Sequence, residues 1–279
     1  MSRRRSRCLC TSLRTAWQAA ATTARSKSRT TNARCTTSSR TTSSSRCQCS
    51  RFRRPARHAR RRSLAQKRSN RFTPLVAAVA DYYDGKIERH GPTPAGVDWP
   101  SSESQRVRFD KLLRVCDLSS PVSLNDIGCG WGALLEHLDS HVPRARVDYL
   151  GIDIARGMIA AARKHWADRT ATRFRVARRT SRTAHYSVAN GVFNVKLDAS
   201  REDWEALISQ SLRDMRAISS RGFAVNFLHP PTAAFPHPPQ LYGCDPSRWK
   251  AFCRNSLGAR VRVIDDYGLP EYTLLVRYA

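Results

Sequence analysis

The first acidic residue of this 279-residue chain is Asp81 and the first glycine is Gly85. Residues 1 to 72 carry 21 of the 49 Lys and Arg and no Asp or Glu, so the formal charge of +27 is concentrated there. The rest of the chain sets 28 basic residues against 22 acids and is only mildly basic. The segment is also short of large apolar residues, and 21 Ser and Thr fall within residues 1 to 50. Such a segment cannot bury enough surface to offset the entropy of ordering it, so 1–72 is expected to be a disordered basic Arg/Ser/Thr-rich tail. An Arg- and Ser-rich, acid-free start has the composition of an organelle transit peptide. Arg51-Phe52-Arg53-Arg54 and Arg60-Arg61-Arg62 suit contacts with nucleic-acid phosphates that ignore base sequence. Composition alone selects neither, and the reading adopted is an out-of-register upstream translation without a selected role. A nucleic-acid partner would then be engaged through the tail only.

Other absences narrow the class. No run approaches the roughly 18 apolar residues that span a bilayer, and no secretory apolar core is present, so no membrane partner is expected. Five of nine cysteines, Cys8, Cys10, Cys35, Cys47 and Cys49, lie in the tail with C-x-C spacing and lack the paired C-x-x-C or His partners of a metal site. Cys116, Cys129, Cys244 and Cys253 are scattered and suit reduced thiols of a cytoplasmic protein.

From about residue 73 periodic patterns begin. Two helices are expected first, one with Pro74 in its opening turn and one capped by Ser101 or Ser102 and running to Leu118. The segments PVSLNDI, RVDYLGIDI, TRFRVA, HYSVANG and RGFAVNFL then read as strands, interleaved with helices over WGALLEHLDSH, ARGMIAAARKHWAD and REDWEALISQSLRDMRAI. This order implies an α/β, Rossmann-like doubly wound sheet, mostly parallel. The end differs: a helix over DPSRWKAFCRNSL precedes two strands joined near Gly268-Leu269-Pro270, which makes the last strand antiparallel.

The chemistry gathers at DIGCGWGA, residues 126 to 133. After a strand, such glycines let the chain turn tightly and let a ligand meet exposed N–H groups of the next helix. Gly128, Gly130 and Ala133 match the dinucleotide pattern G-x-G-x-x-G/A. Asp126, Gly128, Gly130 and Gly132 match D-x-G-x-G-x-G, a form that holds S-adenosylmethionine. Asp153 ends the next strand, 25 residues beyond Gly128, where a carboxylate can accept both hydroxyls of a ribose. The two leading helices, the position of Asp126, whose charge can hold the turn and meet a ligand's ammonium, and the closing hairpin favour the second form.

With these residues in place the chain, over roughly residues 75 to 279, resembles class I S-adenosylmethionine-dependent methyltransferases. HGPTPAGVDWPSSESQRVRF, YLGID, ANGVFNVKL and DYGLPEYTLLVR are similar to one bacterial group of undefined substrate. The resemblance implies a seven-stranded methyltransferase fold over 73–279, with a helical cap over 73–118 and the catalytic sheet over 119–279. It implies S-adenosylmethionine as cofactor. Asp126, Gly128, Gly130 and Gly132 would surround the methionine part, Asp153 would bind the ribose, Ile154 would pack on adenine, and Asn190 and Gly191 would lie beside the methyl group. The chain departs from the family pattern after the third strand, where an acid often meets the adenine amino group and this sequence offers Arg178 and Arg179. His185 stands where the group more often shows an acid.

Methyl transfer is an in-line displacement, so alignment in a dry site matters most. Asn190, Phe193 and Asn194 are candidates to orient or stack on an acceptor, with a turn and a packed Phe as the plain alternative. Asn226 ends the fifth strand, and His229 is a candidate base. Trp99 is a candidate cover for the sulfonium, and Ser104, Gln105 and Arg108 could close over the cofactor. The proline-rich loop FLHPPTAAFPHPPQLYG, with Tyr242 and Asp245 at its far end, has the length of a specificity lid. The expected activity is methyl transfer to an unidentified acceptor, with a small molecule as partner. A nucleic-acid-directed methyltransferase, a nicotinamide-dependent oxidoreductase and a non-catalytic binding module stand as alternatives; oligomeric state is left open.

Overall fold

The computed structural model describes residues 72–278. The expected disordered tail and its five cysteines lie outside the described residues, apart from Phe72, which is buried. The elements are α1 (Thr73–His90), a short 3-10 turn (Pro94–Val97), α2 (Ser102–Leu113), β1 (Val122–Ile127), α3 (Ala133–His141), β2 (Val147–Asp153), α4 (Arg156–His165), β3 (Thr172–Val176), β4 (Ala184–Ala189), α5 (Arg201–Ile218), β5 (Ser219–Leu228), α6 (Pro246–Leu257), β6 (Arg260–Ile264) and β7 (Glu271–Arg277).

Seven strands form one sheet in the order β3-β2-β1-β4-β5-β7-β6. The first five are parallel, and β7 runs antiparallel to both β5 and β6, between which it inserts. β2, β4 and β7 are buried along nearly their whole length, as strands covered on both sides must be. Helix starts follow local chemistry: Ser101, Ser200 and Asp245 accept the N–H groups of Ser104, Asp203 and Ser247. The four cysteines of this region are unpaired.

One expectation on the elements changes. α2 ends at Leu113 rather than Leu118, because Val115 and Cys116 donate to Leu112 and Leu113 and tighten the last turn. The link from β3 to β4 carries no helix. Its Arg182 instead donates to the Leu124 carbonyl and to Asn125 Oδ1, and Asn125 Nδ2 donates to the Arg182 carbonyl. Asn125 is fully buried in β1, and this exchange satisfies it.

Candidate active site

The turn after β1 is built from Gly128, Gly130 and Gly132, at φ of 70°, 56° and 88°. At Gly130 the demand is also spatial: a Cβ there would stand 3.1 Å from Val97 Cγ1 of the 3-10 turn, so the cap rests directly on this backbone. Ala133 is the first helical residue after the turn. Asp153, at the end of β2, braces the turn with two backbone bonds of 2.9 Å, from Gly130 N–H to Oδ2 and from Ala155 N–H to Oδ1. Burial raises its pKa against those donors.

Asp126 is buried behind the turn and accepts the Tyr149 hydroxyl on Oδ2 at 2.7 Å. Burial pushes its carboxyl up to about 7, opposed by that hydroxyl and reinforced by Asp153. Its side chain thus ties β1 to β2 while lining the cavity.

The other lip is the loop after β4. Gly191, at φ 70°, sits beneath the edge of the Trp99 indole, where a Cβ would meet Cζ2 at 2.6 Å. Its N–H donates to Asn226 Oδ1 at 2.6 Å. A backbone N–H can only donate, so Asn226 must direct Nδ2 the other way, to Asn190 Oδ1 at 3.1 Å and Glu271 Oε2 at 2.9 Å. Glu271 in turn forms a two-pronged ion pair with Arg108, both side chains at most 2% exposed. The Arg108 guanidinium lies 3.9 Å from the centre of the Trp99 ring. One continuous polar chain therefore joins α2, β7, β5 and the Asn190–Gly191 loop.

Between the lips lies a cavity of about 1390 Å³, counting the solvent at its mouth. Asp126, Gly128, Gly130, Asp153, Ile154, Asn190, Gly191, Phe193, Asn194, Trp99 and Gln105 all line it, so the structure brings together most of the residues singled out in the sequence. Arg178 and Arg179 line it as well, and the carboxylate absent after β3 arrives from α5: Asp214 stands 3.8 Å from Arg178 and 4.0 Å from Arg179.

Other candidates move elsewhere. His229 is not among the lining residues; its N–H donates to the Pro270 carbonyl and its ring leans on Tyr272, because the chain leaving β5 is held to the start of β7. Ser104 and Arg108 do not line the cavity either; Ser104 closes the first turn of α2 and Arg108 is held by Glu271. Gly132 carries the turn without reaching the wall. The proline-rich loop contributes no lining residue; Tyr242 is buried and bonds Glu205, and Asp245 caps α6. His185 pairs with Ser123 near the start of β4, where Nδ1 accepts and N–H donates. Trp99 already has a cation on its ring, Arg108, and presents its edge to Gly191.

The sequence reading missed Val76, Val79 and Tyr83 of α1, Asp98 and Asp214, all on the cavity wall. Burial, then Asp98, Tyr82 and Asp153, raise the Tyr83 hydroxyl pKa, which places this phenol in the field of both carboxylates. The α1 spacing i, i+3, i+7 was visible as a helix face; nothing local said what it would face.

Residues 125–217 match the family model described as "Methyltransferase domain". The "Putative methyltransferase Rv1506c" of Mycobacterium tuberculosis (strain ATCC 25618 / H37Rv) is 39% identical over 167 residues, 60% of this chain and 99% of that protein. The chain belongs to the class I S-adenosylmethionine-dependent methyltransferases, and S-adenosylmethionine is its cofactor. The fold also matches magnesium protoporphyrin IX methyltransferase (ChlM) of Synechocystis PCC 6803 with bound cofactor, at TM-score 0.51 and 16% identity, covering 73% of this chain and 97% of that one. The residues present fit such a group: the bare backbone of Gly128 and Gly130 lines the cavity, and buried polar atoms of Asp98 and Asn194 on its wall have no hydrogen-bond partners. Family membership sets the nicotinamide reading aside. Among the described residues no helix is long and apolar enough to cross a membrane.

Proposed function

We propose that the protein methylates a hydroxyl or amine on a small, largely apolar acceptor, in the cytoplasm, with residues 73–118 as a cap over the catalytic sheet of 119–279. In this reading the turn at Asp126, Gly128, Gly130 and Gly132 carries the methionine part, Asp153 the ribose, Ile154 the adenine face, and Asn190 and Gly191 the methyl end. The bound cofactor supplies an electrophilic methyl on a sulfonium.

The observation that carries the acceptor side is Asn194. It is 2% exposed, both its amide oxygen and nitrogen lack partners, and it stands beside Gly191, 3.6 Å from where a Cβ would be. A buried amide without bonds costs about 1–3 kcal/mol unless something completes it. The same wall carries Val76, Val79, Trp99, Phe109 and Phe193, which suits an acceptor that is largely apolar apart from the group completing Asn194. Asn194 would orient the nucleophile, and Trp99 and the α1 face would keep water out. The unpaired cysteines suit a cytoplasmic setting.

Calorimetry on the full chain should show S-adenosylhomocysteine binding, weakened on the order of 100-fold by Asp153→Ala, which removes the ribose contact and both braces of the turn. Asn194→Ala should leave that binding intact. With methyl-labelled cofactor and a cell extract, label should enter small molecules extractable into organic solvent, and Asn194→Ala should abolish it. Label confined to acid-precipitable protein or nucleic acid would overturn the small-acceptor reading.

A further inference from the structure

The cofactor's methionine end carries an ammonium, and four carboxylates line the cavity: Asp98, Asp126, Asp153 and Asp214. Three are engaged. Asp126 accepts the Tyr149 hydroxyl and Asp153 accepts two backbone N–H groups; Asp214 accepts Gln210 Nε2 on Oδ1, and its Oδ2, although without a hydrogen-bond partner, already faces two guanidinium groups, Arg178 at 3.8 Å and Arg179 at 4.0 Å. Asp98 differs. Its side chain is 9% exposed, Oδ1 pairs with Lys86 Nζ at 2.6 Å, the Tyr82 phenol lies beside the carboxylate, and Oδ2 is buried with no hydrogen-bond partner. A buried carboxylate oxygen left without a donor is costly.

Its position is set by the backbone. Asp98 caps the 3-10 turn at φ 62°, in the left-handed region, with its N–H held by the Ala95 carbonyl. Val97, before it, rests on Gly130; Trp99, after it, rests on Gly191. The carboxylate is thereby held between the part of the turn that carries the methionine and the part that carries the methyl group. The strained φ of a non-glycine residue is the expense of placing a charge there. Lys86 is 12% exposed and holds one oxygen, which fixes the carboxylate's rotamer while leaving the second oxygen for a ligand.

We propose that Asp98 Oδ2 accepts a hydrogen bond from the α-ammonium of the cofactor's methionine moiety, so that the cap, rather than Asp126, supplies the counter-charge for this cation. This rests on the reading that places the methionine part over the glycine turn. It makes cofactor binding and cap closure one event, since the charge that completes the ligand sits on the segment that covers it. Binding should then favour ligands with a free amino-acid end over nucleosides that lack it.

The test compares S-adenosylhomocysteine with 5′-methylthioadenosine, which lacks the amino-acid end, on full-length wild type and Asp98→Asn by calorimetry. Asparagine tolerates the left-handed conformation, so the backbone of the cap is preserved. The expected result is a loss of about 10- to 100-fold for S-adenosylhomocysteine, the range for a hydrogen bond to a charged group, with methylthioadenosine unchanged. Equal losses for both ligands would show that the residue supports the fold of the cap instead, and would overturn the proposal. Unchanged binding of both would overturn it as well. If wild type binds neither ligand, the cofactor placement itself fails and the inference falls with it; if wild type binds and Asp98→Asn binds equally, only the inference fails.

Discussion

Glu271→Ala should cost about 3–5 kcal/mol of stability, because it leaves the Arg108 guanidinium buried without its counter-ion. Both side chains are at most 2% exposed, and Arg108 spends Nε and Nη2 on Glu271 and Nη1 on the Ser104 carbonyl at 2.6 Å. Removing one partner removes the attraction and keeps the desolvation cost of the other. The double variant Arg108→Met with Glu271→Leu should recover most of the loss, since a buried pair replaced by apolar groups of like size is often neutral. Function should separate from stability here. Glu271 also holds Asn226 Nδ2, whose other bonds set Asn190 and the Gly191 N–H. The double variant should therefore be stable and yet bind S-adenosylhomocysteine more weakly than wild type. Urea unfolding combined with ligand titration reads both quantities; a loss below about 1 kcal/mol for Glu271→Ala would mean the site takes up water readily.

The stability difference between Asp126→Asn and wild type should grow as pH rises from about 4 to about 7, by as much as about 4 kcal/mol in favour of the variant. The sign follows from protons bound. Burial holds the native Asp126 carboxyl at about 7, above its ordinary 3.8, so between those values the native state keeps a proton that the unfolded chain releases. Rising pH in that window therefore favours unfolding of wild type, and the asparagine variant, with no proton to lose, escapes it. The amide oxygen can still accept the Tyr149 hydroxyl, so the β1–β2 tie is kept. Unfolding midpoints measured from pH 4 to pH 8.5 test this, and a difference independent of pH would show that the carboxyl is not held protonated.

The same two residues show what was legible along the chain. Asp126 was found because strand, glycine turn, helix, strand and terminal acid follow one another within about thirty residues, and each link is set by neighbours in sequence. Its geometric role was not found, since Tyr149 lies on another strand. Glu271 reads as the first residue of a hairpin strand, and no local feature points to Arg108, 163 positions earlier. The proline-rich loop and His229 lie off the cavity wall for the opposite reason: their composition suggested a lid and a base, but the loop's far end is bonded to Asn194, Lys196 and Leu197, and His229 to Pro270 just ahead of β7.

By itself the sequence determined the layered α/β order, the antiparallel ending, the glycine turn and the acid that closes it, because these depend on periodicity, backbone freedom and short spacing. Tertiary structure alone decided which charges share the cavity. It brought Asp98 down with the cap, swung Asp214 in from α5 to Arg178, and joined Arg108 to Glu271 behind the Asn190–Gly191 loop. Burial, which decides what partners these groups need, is a property of surroundings contributed by segments far apart in the chain.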